Sequence, residues 1–380
     1  MLRTLRLAVY FMKQAKLFDI CRPKQWKTIS SANLKDKGFP VYGANGIIGY
    51  HDEYNHEKPT ILITCRGATC GTINVSLPFS YINGNAMALD DLKENEVNIN
   101  YLAYYLNFRK LNDVITGTAQ PQITRESLQN VKIPLPPLST QQHIAQILDR
   151  ADELRQKRKQ AIAKLDELLQ ATFIKMFGDP VVNPMGWDKK PLKNLTGKIL
   201  KLKNQSDYLG LKYIDLGSID KDKKCIDYAN LSVLSHDNFP SRARQIAKNF
   251  DILLSMVRPN LNGVAMINSN DNEFITSTGF SVLRCHDELN PYYLFECVKN
   301  KNFTQILVEQ AVGASYPAVN ETIIRDVEIA LPPLSLQHQF AQIAKQIQTQ
   351  KSTLQAQADE LETLFLSLEQ RAFGGALVGS

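Results

Sequence analysis

Hydrophobic positions change their period at matching points in the two halves of the chain. From about residue 19 to 137, short apolar runs alternate with turn residues. Ile61-Leu62-Ile63-Thr64 reads as a buried strand, and Gly43-Ala44-Asn45-Gly46 and Asn83-Gly84-Asn85 read as turns. Asn100 to Leu106 looks like a helix start, and prolines at 134, 136 and 137 then impose an extended path. Beyond them the period becomes helical. Ser139 or Thr140 can cap the helix and Gly178 can end it. Apolar or small residues recur at Ile147, Ala151, Leu154, Ala161, Leu165 and Leu168, with Arg158 interrupting the stripe. Asp149, Arg150, Arg155, Lys157 and Lys159 make the other face charged. From Thr140 to Phe177 such a helix spans roughly 57 Å, too long for a small core, and its period is that of a coiled coil.

The second half repeats the plan. Gly178-Asp179-Pro180 and Asn183-Pro184 break the helix, and a second head follows over about 187–330. Its strand candidate Asp251-Ile252-Leu253-Leu254-Ser255 stands where Pro59 to Ile63 stands in the first. A second helix, about 336–373, carries Ile343, Ile347, Leu354, Leu361, Leu364 and Leu368, interrupted by Gln350 and Gln357. The repeat is explicit in the letters. Gly117-x-x-x-Pro121, Val131-x-Ile133-x-Leu135-Pro136-Pro137-Leu138-Ser139-x-Gln141, Ala145-Gln146-Ile147 and Phe177-Gly178 recur at a constant offset of 196 residues, ending at Phe373-Gly374. Two units closed by one module follow from that. The heads differ more than the modules do. Antiparallel packing of the two helices would satisfy both stripes and give a dumbbell with approximate two-fold symmetry, and the polar interruptions leave room for a further partner protein.

Composition narrows the class only slightly. Hydrophobic content of 44% and charged content of 22% describe an ordinary globular protein. A net charge of +6 suits a polyanion partner without requiring one. The six cysteines form no C-x-x-C pair or zinc spacing, so they read as reduced core or loop residues of a cytoplasmic protein. Met1 to Phe18 reads as an N-terminal helix; its apolar run, Leu7 to Met12, is too short to span a membrane.

Two variable heads, each followed by a Pro-Pro-Leu-Ser-x-Gln entry into a long helix (Pro134 to Gln142; Leu331 to His338), resemble the specificity subunit of type I restriction-modification enzymes. The likeness runs from about Leu17 to Gly375. It includes Pro40-Val41-Tyr42-Gly43-Ala44-Asn45-Gly46, Thr64-Cys65-Arg66-Gly67-Ala68-Thr69-Cys70-Gly71 and Asn83-Gly84-Asn85-Ala86. The first 16 residues fall outside it. The resemblance implies an α+β protein: two target-recognition domains in tandem repeat, separated by two long antiparallel helices forming a coiled coil. The expected boundaries are 1–137 for the first domain, 138–178 for the central helix, 179–333 for the second domain and 334–375 for the C-terminal helix. It further implies that each head reads one half of a split, asymmetric double-stranded DNA site. The helices would set the spacing, on the order of one DNA turn or 10 bp. They would also dock two methyltransferase (modification) subunits and, through them, restriction subunits.

Within that frame Arg66 and Arg258 are the first candidates for DNA contact. Each follows a strand-like segment, 192 residues apart, where a guanidinium could grip a phosphate or pair with guanine. Asn45, Asn85, Asn260 and Asn262 sit in loops where amides could read adenine, although asparagine also serves turns for its backbone alone. Tyr42 and Thr69 lie in the first-head motifs. The turns Gly117-Thr118-Ala119-Gln120 and Gly313-Ala314-Ser315-Tyr316 are equivalent by the repeat, and Gln120 and Tyr316 differ where the frame is shared. Arg242 and Arg244, with Lys248, form a basic cluster for phosphate or solvent.

Absences point the same way. There is no Gly-x-x-x-x-Gly-Lys-Ser/Thr loop. Asn290-Pro291-Tyr292-Tyr293 departs from the Asn-Pro-Pro-Tyr box of amino-methyltransferases and reads as a helix cap with proline at the first turn. The expectation is therefore a non-catalytic chain with no cofactor, no metal and no membrane contact. The rivals are a coiled-coil scaffold that binds proteins instead of DNA, a self-contained enzyme, and a specificity subunit serving a methyltransferase with no nuclease.

Overall fold

The computed structural model describes residues 13–117, 120–269, 271 and 273–374. The chain forms two compact units. One takes the described residues up to Gln160 together with those from Gln355 on; the other takes Ala161–Leu354. Each unit thus holds one head, the near half of one long helix and the far half of the other.

In the first unit the chain runs β1 (Gln14–Lys16), α1 (Leu17–Ile20), β2 (Arg22–Gln25), β3 (Phe39–Gly43), β4 (Gly46–His51), β5 (Ile61–Thr64), β6 (Ile73–Val75), β7 (Tyr81–Ile82), β8 (Ala86–Asp90), α2 (Ile99–Arg109), β9 (Lys132–Pro134) and α3 (Leu138–Phe177). β2-β8-β5-β6 form an antiparallel sheet, and β4-β3-β7 a second with β3 and β7 parallel. All four residues of β5 are buried, as expected of a central apolar run covered on both faces. The expected N-terminal helix falls mostly outside the described residues. From Gln14 the chain is instead a strand, paired antiparallel with β9, so these residues belong to the frame and are not an appendage to it.

In the second unit the order is β10 (Lys189–Pro191), α4 (Leu192–Leu195), β11 (Thr196–Gly197), β12 (Lys212–Ile214), β13 (Ile219–Asp220), β14 (Cys225–Ile226), β15 (Ser232–Val233), β16 (Ala243–Lys248), β17 (Ile252–Ser255), β18 (Val264–Met266), β19 (Glu273–Ser277), β20 (Phe280–Cys285), α5 (Pro291–Lys299), α6 (Lys301–Glu309), α7 (Glu321–Asp326), β21 (Glu328–Ala330) and α8 (Leu334–Phe373). The sheet β11-β20-β17-β18 has the plan of β2-β8-β5-β6, and β10 pairs with β21 as β1 does with β9. Asn290 accepts from Tyr292 N–H at 2.9 Å with Pro291 at the first turn of α5, and Tyr292 and Tyr293 are buried, so this tetrapeptide is a helix cap.

The repeated entry motif has a physical reason. Gln141, fully buried in the first turn of α3, accepts from Asn98 N–H at 2.9 Å and donates to the carbonyls of Glu96 and Pro136, each at 2.9 Å. Gln337, in the first turn of α8, accepts from Asn290 N–H at 2.9 Å and donates to Glu288 (3.2 Å) and Pro332 (2.8 Å) carbonyls. One amide satisfies a donor and two acceptors that burial would otherwise strand. It also fixes the long helix to the N-cap of the head's own helix. Tyr101 and Tyr293 add a second tie, donating to the Pro134 and Ala330 carbonyls at 2.9 and 2.7 Å.

Within each unit the segments of α3 and α8 lie antiparallel. In the first, Arg155 bonds Glu362 at 2.6 Å and lies 4.1 Å over the Phe365 ring. In the second, Lys351 bonds Asp166 at 2.5 and 2.7 Å. The offset of 196 converts one ion pair into the other. The buried stripe differs in part from the expected one, which Ala151 and Ile347 follow. Ile144, Ala145, Leu148 and Ala151 are buried, and Ala344, Ile347, Phe365 and Ala372 likewise. Leu154, Leu168 and Leu364, expected on the seam, are half-exposed at 52%, 53% and 50%. The charged residues Arg155 and Lys351 take seam positions because each finds its carboxylate there.

Glu369 is buried on α8; burial pushes its carboxyl pKa up, Arg155 opposes this, and Glu362 and Asp152 add to it. The native chain therefore binds this proton more tightly than the unfolded chain does. Its stabilising contribution is complete below the ordinary glutamate range and is lost as pH rises through the raised folded value. Glu369→Gln is accordingly expected to raise stability near pH 7 and to leave it unchanged near pH 4, as read by denaturant titration across pH.

Candidate nucleic-acid interface

In the first head four loops meet at the C-terminal end of β5. Thr64 Oγ1 donates to the Ala44 carbonyl in the β3–β4 turn, and Cys65 N–H donates to the Asn85 carbonyl at 3.2 Å. Ile123 N–H donates to Cys65 at 2.9 Å, and Gly67 N–H to Pro121 at 3.2 Å. Buried Asn83 shapes the turn before β8: its amide donates to Ile29 at 3.2 Å and its oxygen accepts from Gly84 N–H at 2.8 Å. Gly84 is required there, since a Cβ would stand 2.6 Å from the Trp26 carbonyl. The backbone of this cluster is bound together, leaving Asn45, Arg66, Thr69, Asn85 and Gln120 exposed. Thr69 donates to Asn45 at 2.5 Å, which orients that amide. Thr118 and Ala119 lie outside the described residues.

Burial raises the Cys65 thiol to about 11 and those of Cys21 and Cys285 to about 12, and all six cysteines are free. A cleft of about 900 Å³ elsewhere in this head is lined by two ion pairs, Arg22 with Asp91 and Lys58 with Glu94, by His56 hydrogen-bonded to Asp90, and by Lys24 and Glu57.

The second head builds the same junction at the end of β17. Met256 N–H donates to Gly279 at 2.9 Å, Val319 N–H to Met256 at 2.9 Å, and Arg258 N–H to Pro317 at 2.7 Å. Arg258, Asn260 and Tyr316 are exposed around it, with the Arg258 guanidinium 4.4 Å from the Tyr316 ring centroid. Arg242 is exposed beside the β19–β20 turn, its carbonyl accepting from Thr278 N–H at 2.9 Å.

The type I restriction modification DNA specificity domain matches residues 11–164 and again 184–363. The chain belongs to this family. Among its relatives is the type I restriction enzyme MjaVIII specificity subunit of Methanocaldococcus jannaschii, 24% identical over 267 residues, which are 65% of this chain and 63% of that one. A putative type I restriction enzyme specificity subunit of Haemophilus influenzae is 24% identical over 90% of this chain and 87% of its own. The crystal structure of a type I restriction-modification S subunit from M. genitalium covers 95% of this chain and 96% of its own, with a TM-score of 0.64 and 14% identity, a likeness of fold. Membership places the chain with specificity subunits and apart from the catalytic ones. No described helix is long and apolar enough to cross a membrane.

For a member of the specificity family, two expected contacts and one expected equivalence need correction. Tyr42 is buried among Leu62, Ile82, Ala86 and Ala88, and its hydroxyl accepts from Leu77 N–H at 3.1 Å; it is a core residue. Asn262 donates to the Lys299 carbonyl at 3.1 Å and to Thr304 Oγ1 at 2.7 Å, so its amide nitrogen braces a loop against α5 and α6. Arg66 and Arg258 are not equivalent. The hydrogen bonds align Cys65 with Met256, Arg66 with Val257 and Gly67 with Arg258, an offset of 191 instead of 192. A one-residue slip arose from matching Asp251 to Pro59 when β17 begins at Ile252.

Arg244 is exposed but donates from Nε to Ser241 at 2.9 Å, which restrains it along its own strand. Two residues not singled out by the sequence join the second-head cluster. Lys221 lines a recess beside Arg258, and Lys224 donates to the Asn262 carbonyl at 2.6 Å, burial and nearby Lys299 holding its pKa down. The run Lys221-Asp222-Lys223-Lys224 was the available signal.

Proposed function

We propose that this chain is the DNA-recognition subunit of a type I restriction-modification complex, each head reading one half of a bipartite, asymmetric site. The observation that carries this is the pair of equivalent strand ends. One backbone frame presents Asn45, Arg66, Thr69, Asn85 and Gln120 in the first head, and Arg242, Arg258, Asn260 and Tyr316 in the second. A shared frame with different exposed donors is what two half-site specificities need. Exposed Arg66 and Arg242 supply phosphate attraction, and among the described residues neither Arg66 nor Arg258 has an ion-pair partner.

The long helices set the separation of the half-sites and dock two methyltransferase subunits, through which restriction subunits join. Leu168 and Leu364 support that role: they are equivalent by the repeat and equally exposed, so the same apolar contact is offered twice. The chain itself carries out no chemistry and acts in the cytoplasm.

Binding of a cognate duplex by the assembled complex is expected to weaken at least about ten-fold between roughly 50 and 200 mM salt, because phosphate contacts release counterions. Arg66→Ala should flatten that dependence. Affinity that barely changes with salt would favour heads that bind something other than DNA.

A further inference from the structure

At one position the shared frame is kept against the backbone's own preference. Gly67 has φ +88°, and a Cβ added there would meet nothing within 4 Å. Its equivalent, Arg258, has φ 51° and ψ 61°, the left-handed region that L-residues with a Cβ avoid. The backbone is held on both sides, Arg258 N–H donating to Pro317 at 2.7 Å and its carbonyl accepting from Leu261 N–H at 2.9 Å. Glycine would fit this turn without strain, so the turn does not explain the arginine. Strain of this kind persists where the side chain has a task.

We propose that Arg258 is the specificity-determining residue of the second head and reads a guanine in the major groove, with Tyr316 holding its guanidinium in position. This rests on the DNA-recognition reading above. Tyr316 is itself 67% exposed, so the pair stands at the surface with the guanidinium carbon 4.4 Å from the ring centroid. A cation–π contact of this kind restrains the guanidinium, and a restrained guanidinium suits a bidentate contact to guanine O6 and N7. A phosphate contact needs no fixed plane and would be served by a flexible lysine in an unstrained turn. Nor does Arg258 serve a buried carboxylate: the recess of about 180 Å³ beside it is lined by Leu216, Ile219, Val257 and Phe280, with Lys221 and no acidic residue. The first head has neither part of the device, with Gly67 and Gln120 in the two positions.

The test compares adenine methylation motifs genome-wide in cells carrying the methyltransferase partner with the parent chain, Arg258→Gly or Arg258→Lys. Glycine is the residue the first head uses and relieves the strain, so Arg258→Gly should leave Tm no lower than the parent's. The expected result is a parent motif with a guanine that becomes degenerate in both variants. Discrimination at that base pair should fall about ten-fold or more while the other half stays sharp. A uniform fall in methylation with an intact motif would make Arg258 a phosphate contact and overturn the proposal. So would an unchanged motif, relaxation spread over both halves, or a parent motif without guanine. If the parent chain directs no motif at all, the DNA-recognition reading itself fails.

Discussion

Replacing Gln141 by leucine should destabilise the first unit by about 3–5 kcal/mol, although leucine is close in size and the glutamine side chain is fully buried. The reason lies in what is left behind. Gln141 holds one backbone N–H and two backbone carbonyls, and each buried group left without a partner costs about 1–3 kcal/mol. Gln337→Leu should cost a similar amount in the second unit, where the partners have the same roles. Glutamate is no remedy, since a carboxylate cannot donate to two carbonyls. Amide exchange at Asn98 and Asn290 would localise the loss, and chemical denaturation would size it. A cost near zero for either leucine variant would mean that the repeated glutamine is not what fastens helix to head.

Phe177→Ala is expected to cost about 3–5 kcal/mol, the range for emptying a large buried aromatic site. Phe177 is fully buried, with the rings of Tyr293, Phe173 and Phe340 at 4.8, 5.2 and 5.6 Å. Its repeat partner Phe373 is 8% exposed and meets Phe108, Tyr105 and Tyr101 at 5.3, 5.6 and 5.7 Å. Phe373→Ala should therefore fall at or below the low end of that range. The difference comes from the neighbours, because the repeat replaces Phe173 by Glu369 and Phe340 by Ile144. Equal costs, measured by chemical denaturation, would show that the two helix ends are seated alike despite their surroundings.

The large features of the fold were legible because they repeat. A 196-residue offset in the letters announces two units, and prolines followed by a capped helical period fix both helix starts to within a few residues. What was illegible depended on partners distant in sequence. Leucines at 154, 168 and 364 read as seam residues because hydrophobicity was the only guide, while Arg155 and Lys351 take half-buried seam positions through Glu362 and Asp166. The heads diverge by insertions, so a constant offset does not hold inside them, and Arg258 was matched one residue away from its true counterpart. Tyr42 and Asn262 looked like contact residues because their roles, satisfying Leu77 N–H and bracing α5 and α6, lie 35 or more residues away. Arg66, Asn45, Thr69 and Asn85 were placed by motif alone, and hydrogen bonds bring their loops to one strand end.

The central claim is that two different heads on one frame select a split DNA site. Its most direct test is genome-wide adenine methylation in cells expressing the methyltransferase partner with and without this chain. The account predicts methylation at one bipartite, asymmetric motif that disappears when the chain is absent. An unchanged methylome, with the complex shown to be expressed and assembled, would contradict it.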